Sequence, residues 1–344
     1  MIYAPVIIPT FCRAEKLKNC IESLQRNPYA KYTELYISLD YPTTEKYREG
    51  YEQVKEYVYG GINGFARVEI IEQEINQGWS GNYRQLRQKV YERHECYIYS
   101  EDDNIFAPNF LEYMDRCLTE FEQNDDILAV TGYSYPIDWQ IDKDNVMKLN
   151  SYFAAWGFGI WRNKEEKMLQ AINLQNFERQ MKNKSAMRKL YQASKNQYCN
   201  FVKGMIGYTD MLLVDENVLA IDLSFAMYQI FYDKYMIFPM VSKVRNTGYG
   251  VEGIHCREMK IIEGIRPNNR NYSYDNQPID DGDFFNRINI NEEDCTDYLN
   301  QKLEEFFIVS KRELIASKAV ELICRIGGRK LLVNCIKKMR KARS

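Results

Sequence analysis

Four short apolar runs in the first hundred residues, each closing on polar residues and separated by helical repeats, confine this chain to an α/β fold. Residues 3–8 form the first run, closed by Pro9, and over 13–24 the positions Leu17, Cys20, Ile21 and Leu24 recur at helical spacing. Glu34-Leu35-Tyr36-Ile37-Ser38-Leu39 reads as a strand ending at Asp40, followed by a helix over 47–58, a strand over 67–71 and a helix over 82–93. Cys96-Tyr97-Ile98-Tyr99-Ser100 is a fourth buried strand. This alternation predicts a mostly parallel central sheet with helices on both faces.

In open sheets of this kind, ligands bind beyond the carboxyl ends of the strands, where loops gather helix N-termini and side chains. The residues at those ends are Pro9-Thr10-Phe11-Cys12-Arg13, Asp40, Asn76-Gln77-Gly78-Trp79-Ser80-Gly81-Asn82 and Glu101-Asp102-Asp103. Backbone N–H groups over 10–13 and the Arg13 cation suit a phosphate at the start of the first helix. Gly78, Gly81 and Asn82 let the backbone approach a ligand, and Arg84 faces either a diphosphate or solvent. The acidic triplet crowds like charge at the edge of a core and calls for a positive partner. A hard divalent cation, Mn²⁺ or Mg²⁺, held by one or two carboxylates and completed by diphosphate oxygens and water, would supply it. Capping of the helix expected over 109–121, with Pro108 near its start, is the alternative.

Hydrophobic residues make up 45% of the 344, enough for one large core with appendages. The net charge of −2 hides an asymmetry, because residues 311–343 hold eleven Lys/Arg against Glu313 and Glu321, about +9, leaving about −11 elsewhere. Nine cysteines without CxxC spacing argue against a disulfide framework or a zinc site. The N-terminal residues lack the pattern of a signal peptide and no run is long enough to span a membrane, so the expected location is cytoplasmic. Residues 266–304, rich at first in Asn, Asp and Tyr, read as an irregular linker. Over 305–344 apolar residues recur three or four apart among basic ones, interrupted at Gly327-Gly328. That tail predicts peripheral attachment to the anionic inner face of the cell membrane, with packing on the body or on a partner subunit as the alternative. It lacks interleaved aromatics, so nucleic acid is not an expected partner.

Val6-Ile7-Ile8-Pro9-Thr10-Phe11-Cys12-Arg13 resembles the opening of family 2 type glycosyltransferases, and Tyr99-Ser100-Glu101-Asp102-Asp103-Asn104 with Pro108-Asn109-Phe110 resembles their metal-binding acidic motif. The Glu-Asp-Asp triplet is similar to that of the N-acetylglucosaminyltransferase I branch. Ala155-Trp156-Gly157-Phe158-Gly159-Ile160-Trp161 resembles a Trp-Gly-rich segment of bacterial capsule and O-antigen transferases, and Arg245-Asn246-Thr247-Gly248-Tyr249-Gly250 with Gly253-Ile254-His255 follows in the expected order. The resemblance implies a GT-A fold over 1–265, with a nucleotide-binding half (1–104) and an acceptor-binding half (105–265). It implies Asp103 as the direct metal ligand, His255 as a second ligand, and Glu101 and Asp102 at the sugar or ribose. Asp40 resembles the acid that bonds the base or ribose, with a turn-forming Asp before Tyr41-Pro42 as the alternative.

An inverting transferase needs a carboxylate base for the acceptor hydroxyl. Asp222 resembles that base, but Ile221 stands where the family has Trp, so Asp210, Asp215 and Glu252 remain rivals and an N-cap role for Asp222 stays open. The implied activity is transfer of a sugar from a nucleotide-sugar donor, by analogy a UDP-sugar, to a saccharide or lipid-linked acceptor in surface-polysaccharide assembly. A sugar-nucleotide pyrophosphorylase is the rival enzyme, against which the glycine-free Pro9–Arg13 segment argues; a non-catalytic membrane-associated binding protein is the other rival.

Overall fold

The computed structural model describes residues 1–140, 144–207, 221–248, 279–280 and 296–341. Strands β1 (Val6–Thr10), β2 (Glu34–Leu39), β3 (Arg67–Glu72) and β4 (Cys96–Tyr99) run parallel in the order β3-β2-β1-β4. They are joined by α1 (Ala14–Gln25), α2 (Arg48–Tyr59) and α3 (Gly78–Val90). Val6 and Ile8 face one apolar core, and Ile7, Tyr36, Tyr97 and Tyr99 face the other, as the two-residue repeat of a strand requires. Burial on both faces explains why β1, β2 and β4 read as nearly continuous apolar runs, while β3 at the sheet edge is only partly buried. Pro9 is tolerated in a central strand because β1 pairs with β4 only through Val6 and Ile7, leaving Pro9 beyond that ladder.

After β4 come β5 (Asn104–Phe106), α4 (Phe110–Glu120), β6 (Ile127–Thr131), β7 (Val146–Leu149) and β8 (Phe158–Trp161). Helices α5 (Arg162–Ala171), α6 (Leu174–Lys182), α7 (Lys184–Ala193), α8 (Lys195–Ile206) and α9 (Ile221–Tyr232) precede β9 (Tyr235–Pro239) and β10 (Val244–Asn246). The sheet continues past β4 as β8-β6-β9-β7, giving eight strands. Here the parallel pattern breaks: β8 runs antiparallel to both β4 and β6, and β7 antiparallel to β9. A separate antiparallel ribbon pairs β5 with β10, setting Asn246 opposite Asn104.

The linker expected over 266–304 is corrected at its end, because α10 (Thr296–Phe306) begins inside it. Leu299 and Leu303, one turn apart, are fully buried and seat this helix against β7. Asp280, also within the expected linker, is buried in an ion pair with Lys243. The tail is two helices, α11 (Lys311–Arg325) and α12 (Arg329–Lys341), on either side of Gly327-Gly328. Ser310 starts α11 by accepting a hydrogen bond from the Glu313 amide at 3.2 Å, and Gly327, at φ +93°, turns the chain between the two. One side of this pair packs on the body through buried Ser317, Cys324 and Ile336. Tyr198 donates to Glu321 at 2.6 Å, and Arg329 pairs with Glu178 at 2.8 Å. The other side leaves Ile315, Leu322, Ile326 and Leu331 at least 60% exposed.

Candidate active site

The carboxyl ends of β1 and β4 lie side by side, and their last residues interlock. Thr10 Oγ1 donates to Asp102 at 3.0 Å. Arg13 spans two acids, donating through Nη2 to Asp102 and through Nη1 to Asp103 at 2.7 Å. The positive partner that the triplet demands is thus partly a side chain of the protein itself. Held between two carboxylates, the Arg13 guanidinium has its pKa raised further, against the opposing pull of burial.

The β5–β10 ribbon closes the site from the other half of the chain. Asn246 Nδ2 reaches Asp103 Oδ1 at 2.6 Å, Asn104 Oδ1 at 3.1 Å and Glu101 Oε2 at 3.2 Å. Thr247 donates from N and Oγ1 to the Asp103 carbonyl, both at 2.8 Å, while Lys16 Nζ donates to the Thr247 carbonyl at 2.8 Å. A Cβ on Gly248 would collide with the Asp103 carboxylate, so only glycine lets the chain pass so close. Trp156 Nε1 donates to Glu101 Oε2 at 3.2 Å, which places the Trp-Gly segment at the site through its indole.

The electrostatics follow from burying three acids with one arginine. Burial, then the charges of Asp103, Asp222 and Asp102, push the Glu101 carboxyl up to about 8 despite Arg13. Burial lifts Asp102 to about 6, with Arg13 and Thr10 pulling the other way. Asp222 sits in the first turn of α9, and its charge is felt at Glu101. Burial alone raises Asp222 to about 6, and its Oδ1 has no hydrogen-bond partner among the described residues.

Other expected site residues are placed differently. Asp40 accepts from the amides of Tyr41 at 3.0 Å and Gln77 at 2.8 Å and from Asn76 Nδ2 at 3.1 Å, clamping the loop before α3 in the manner of the turn-forming reading. Burial raises its pKa, and those amides oppose the shift. Gly78 begins α3 at φ +63°, four residues earlier than the helical repeat predicts. Gly81 packs on Gln77. Asn82 is 2% exposed, its side chain donating to the Ser38 carbonyl at 3.0 Å and accepting from Ser38 Oγ and Gln73, so it ties α3 to β2. Arg84 stands exposed on α3, with no acidic partner among the described residues. His255, Asp210, Asp215 and Glu252 lie outside the described residues. Sequence reasoning missed Lys16 as a site residue, and it gave Asn246 and Thr247 no role, because only the antiparallel pairing of β10 with β5 brings these last two to the acids.

The sequence profile of glycosyl transferase family 2 matches residues 6–193, more than half of the chain. No curated protein matches it. Among solved structures, TarS 1-349 of S. aureus matches at 16% identity and TM-score 0.28 over 38% of this chain and 35% of that one. The mannosyltransferase PcManGT from Pyrobaculum calidifontis, in complex with GDP-Man and Mn2+, matches at 12% identity and TM-score 0.32 over 48% of this chain and 46% of that one. In each case the match spans less than half of the solved chain. The acid-bearing strand end, the α/β sheet and the family profile agree: the chain belongs to glycosyl transferase family 2 and has the GT-A fold.

Proposed function

We propose that this protein is a metal-dependent, inverting transferase that moves a sugar from a nucleotide-sugar donor, a UDP-sugar by analogy, to a saccharide or lipid-linked acceptor in capsule or O-antigen type polysaccharide assembly. One observation carries this reading: Glu101, Asp102 and Asp103 are gathered at one strand end, opposite the half-buried Asp222 of α9. Three acids against one guanidinium leave an excess of negative charge when ionised, which suits a divalent cation, and carboxylate oxygens are the donors such an ion prefers. Asp103 would hold it, with His255 as the second ligand. The bound metal would offset charge on the departing diphosphate. Arg13 would then stand beside the phosphates, Thr10 would keep Asp102 oriented, and Glu101 and Asp102 would meet the ribose or sugar. Asp222, kept from full solvation and with its Oδ1 lacking a hydrogen-bond partner among the described residues, would take the acceptor's proton.

The test pairs two substitutions. Asp103→Asn should lower Mn²⁺ affinity and cut transfer roughly hundredfold or more, and Asp222→Asn should cut transfer by roughly 10²–10⁴-fold while donor and Mn²⁺ still bind. Isothermal titration with Mn²⁺ and UDP, beside a transfer assay, reads both. Wild-type Mn²⁺ affinity in Asp103→Asn would remove that ligand, and wild-type rates in Asp222→Asn would move the base elsewhere.

Membrane attachment through the tail is part of the same proposal. The exposed residues Ile315 and Leu322 of α11 and Ile326 at its C-cap follow at intervals of seven and four, one stripe, with Lys311 and Lys318 exposed along it. No helix among the described residues is long and apolar enough to cross a membrane.

A further inference from the structure

A cavity of about 130 Å³ lies between α3, α5 and α9. Ile221, Ser224 and Phe225 contribute to its wall, and they flank Asp222 on the first turn of α9. Met168, Leu169 and Ile172 of the α5 region add apolar wall, while Ser80, Arg84 and Arg87 of α3 bring polar groups to the lining. Within it, Ser224 is 2% exposed and its Oγ has no hydrogen-bond partner among the described residues. A buried hydroxyl left unmatched is costly, so this oxygen is available to a ligand or to water. The buried charge in the lining is already matched: Glu165 accepts from Arg87 at 3.1 Å, Tyr83 at 3.2 Å, Tyr91 at 2.6 Å and Tyr97 at 2.9 Å. Trp79, 44% exposed, also lines the cavity, with one face stacked on Tyr83 at a centroid distance of 5.6 Å.

We propose that this cavity receives the acetamido group of an N-acetylated acceptor sugar whose hydroxyl lies at Asp222. The inference rests on the transferase reading with Asp222 as base, and it adds the acceptor's chemical class. The lining selects a neutral group with an apolar end and one polar contact. Glu165 would repel a carboxylate placed beside it, Arg87 being already paired with that acid and Arg84 standing exposed in the same lining, and a bare hydroxyl would leave the apolar wall wet. An acetamido methyl packs against Leu169 and Ile172, its carbonyl accepts from Ser224 Oγ, and the pyranose ring lies toward the free face of Trp79.

The test measures binding of the methyl β-glycosides of N-acetylglucosamine, N-acetylgalactosamine, glucose and galactose to the full chain with UDP and Mn²⁺, by titration calorimetry or ligand-observed NMR. Acetamido sugars should bind roughly tenfold tighter than their hydroxyl counterparts. Leu169→Trp, which fills the cavity, should erase that preference, and Ser224→Ala should reduce it roughly threefold to tenfold. Should Leu169→Trp fail to fold by its melting curve, Ser224→Ala carries the decision. Equal binding of both sugar classes, or a preference untouched by either substitution, overturns the proposal. So does a preference found only between UDP-N-acetylglucosamine and UDP-glucose, which would assign the acetamido group to the donor. Donor turnover measured in parallel separates the two readings: turnover without acetamido preference sinks the cavity assignment alone. A cavity-dependent preference without turnover on any donor upholds the cavity and sinks the transferase reading.

Discussion

Asp115 is fully buried in α4, its Oδ1 accepts from the Ala4 amide at 3.0 Å, and its Oδ2 has no partner among the described residues. Burial pushes this carboxyl from 3.8 up to about 7. Below the lower value both folded and unfolded chains hold the proton, so the group contributes nothing. As pH rises from about 4 to 7, the unfolded chain releases a proton that the folded chain keeps, and stability falls by a few kcal/mol. Asp115→Asn keeps the acceptor for Ala4 and removes the titration. Thermal melts at pH 5 and pH 8 should therefore differ by several degrees less in the variant than in the wild type. An unchanged difference would show that Asp115 is ionised in the fold. Some slope will remain, because Glu101, Asp102 and Asp222 are raised in the same direction.

The β5–β10 ribbon shows at the level of elements what a linear reading can and cannot reach. The triplet was legible because three acids follow four buried residues, Cys96–Tyr99, at a strand end. The strand-helix alternation of the first half was legible for a similar physical reason, since each apolar run needs burial on two faces. The antiparallel insertion of β8 was not, because Phe158-Gly159-Ile160-Trp161 has the same pattern in either direction and only its neighbours set the sense. Asn246 was visible as part of a motif but not as the donor that holds Glu101 and Asp103 together. Asn246→Ala removes that donor while leaving the ribbon's backbone bonds. Mn²⁺ affinity and transfer should drop roughly 10–100-fold, the usual cost of losing a group that orients ligands. The melting temperature should move by only a few degrees. Wild-type Mn²⁺ affinity would show that Asn246 orients nothing that matters to the metal.

For the whole molecule, the tail's division into two sides is the larger lesson. Its helical repeat was readable, and so was the break at Gly327-Gly328, but the sequence offered bilayer and body as alternatives. The structure settles half of that choice: Cys324 and Ile336 join the body's apolar core, while a second apolar stripe faces outward. Ile315 and Ile326 are 69% and 79% exposed, so replacing both with Glu should leave the melting temperature within a few degrees. The same variant should lose flotation with vesicles containing phosphatidylglycerol, which the wild type should retain, and neither should float with phosphatidylcholine alone. Equal flotation of both proteins would place attachment elsewhere or nowhere.

The crossing of β10 over to β5 also fixes when the acid cluster can be completed. Residues 101–106 find their partners only at 244–248, so during synthesis the acids at the end of β4 stay incomplete until that distant stretch has left the ribosome. A chain ending before residue 244 would carry the acids of β4 without Asn246 and Thr247, and so without the bonds that draw Glu101 and Asp103 together.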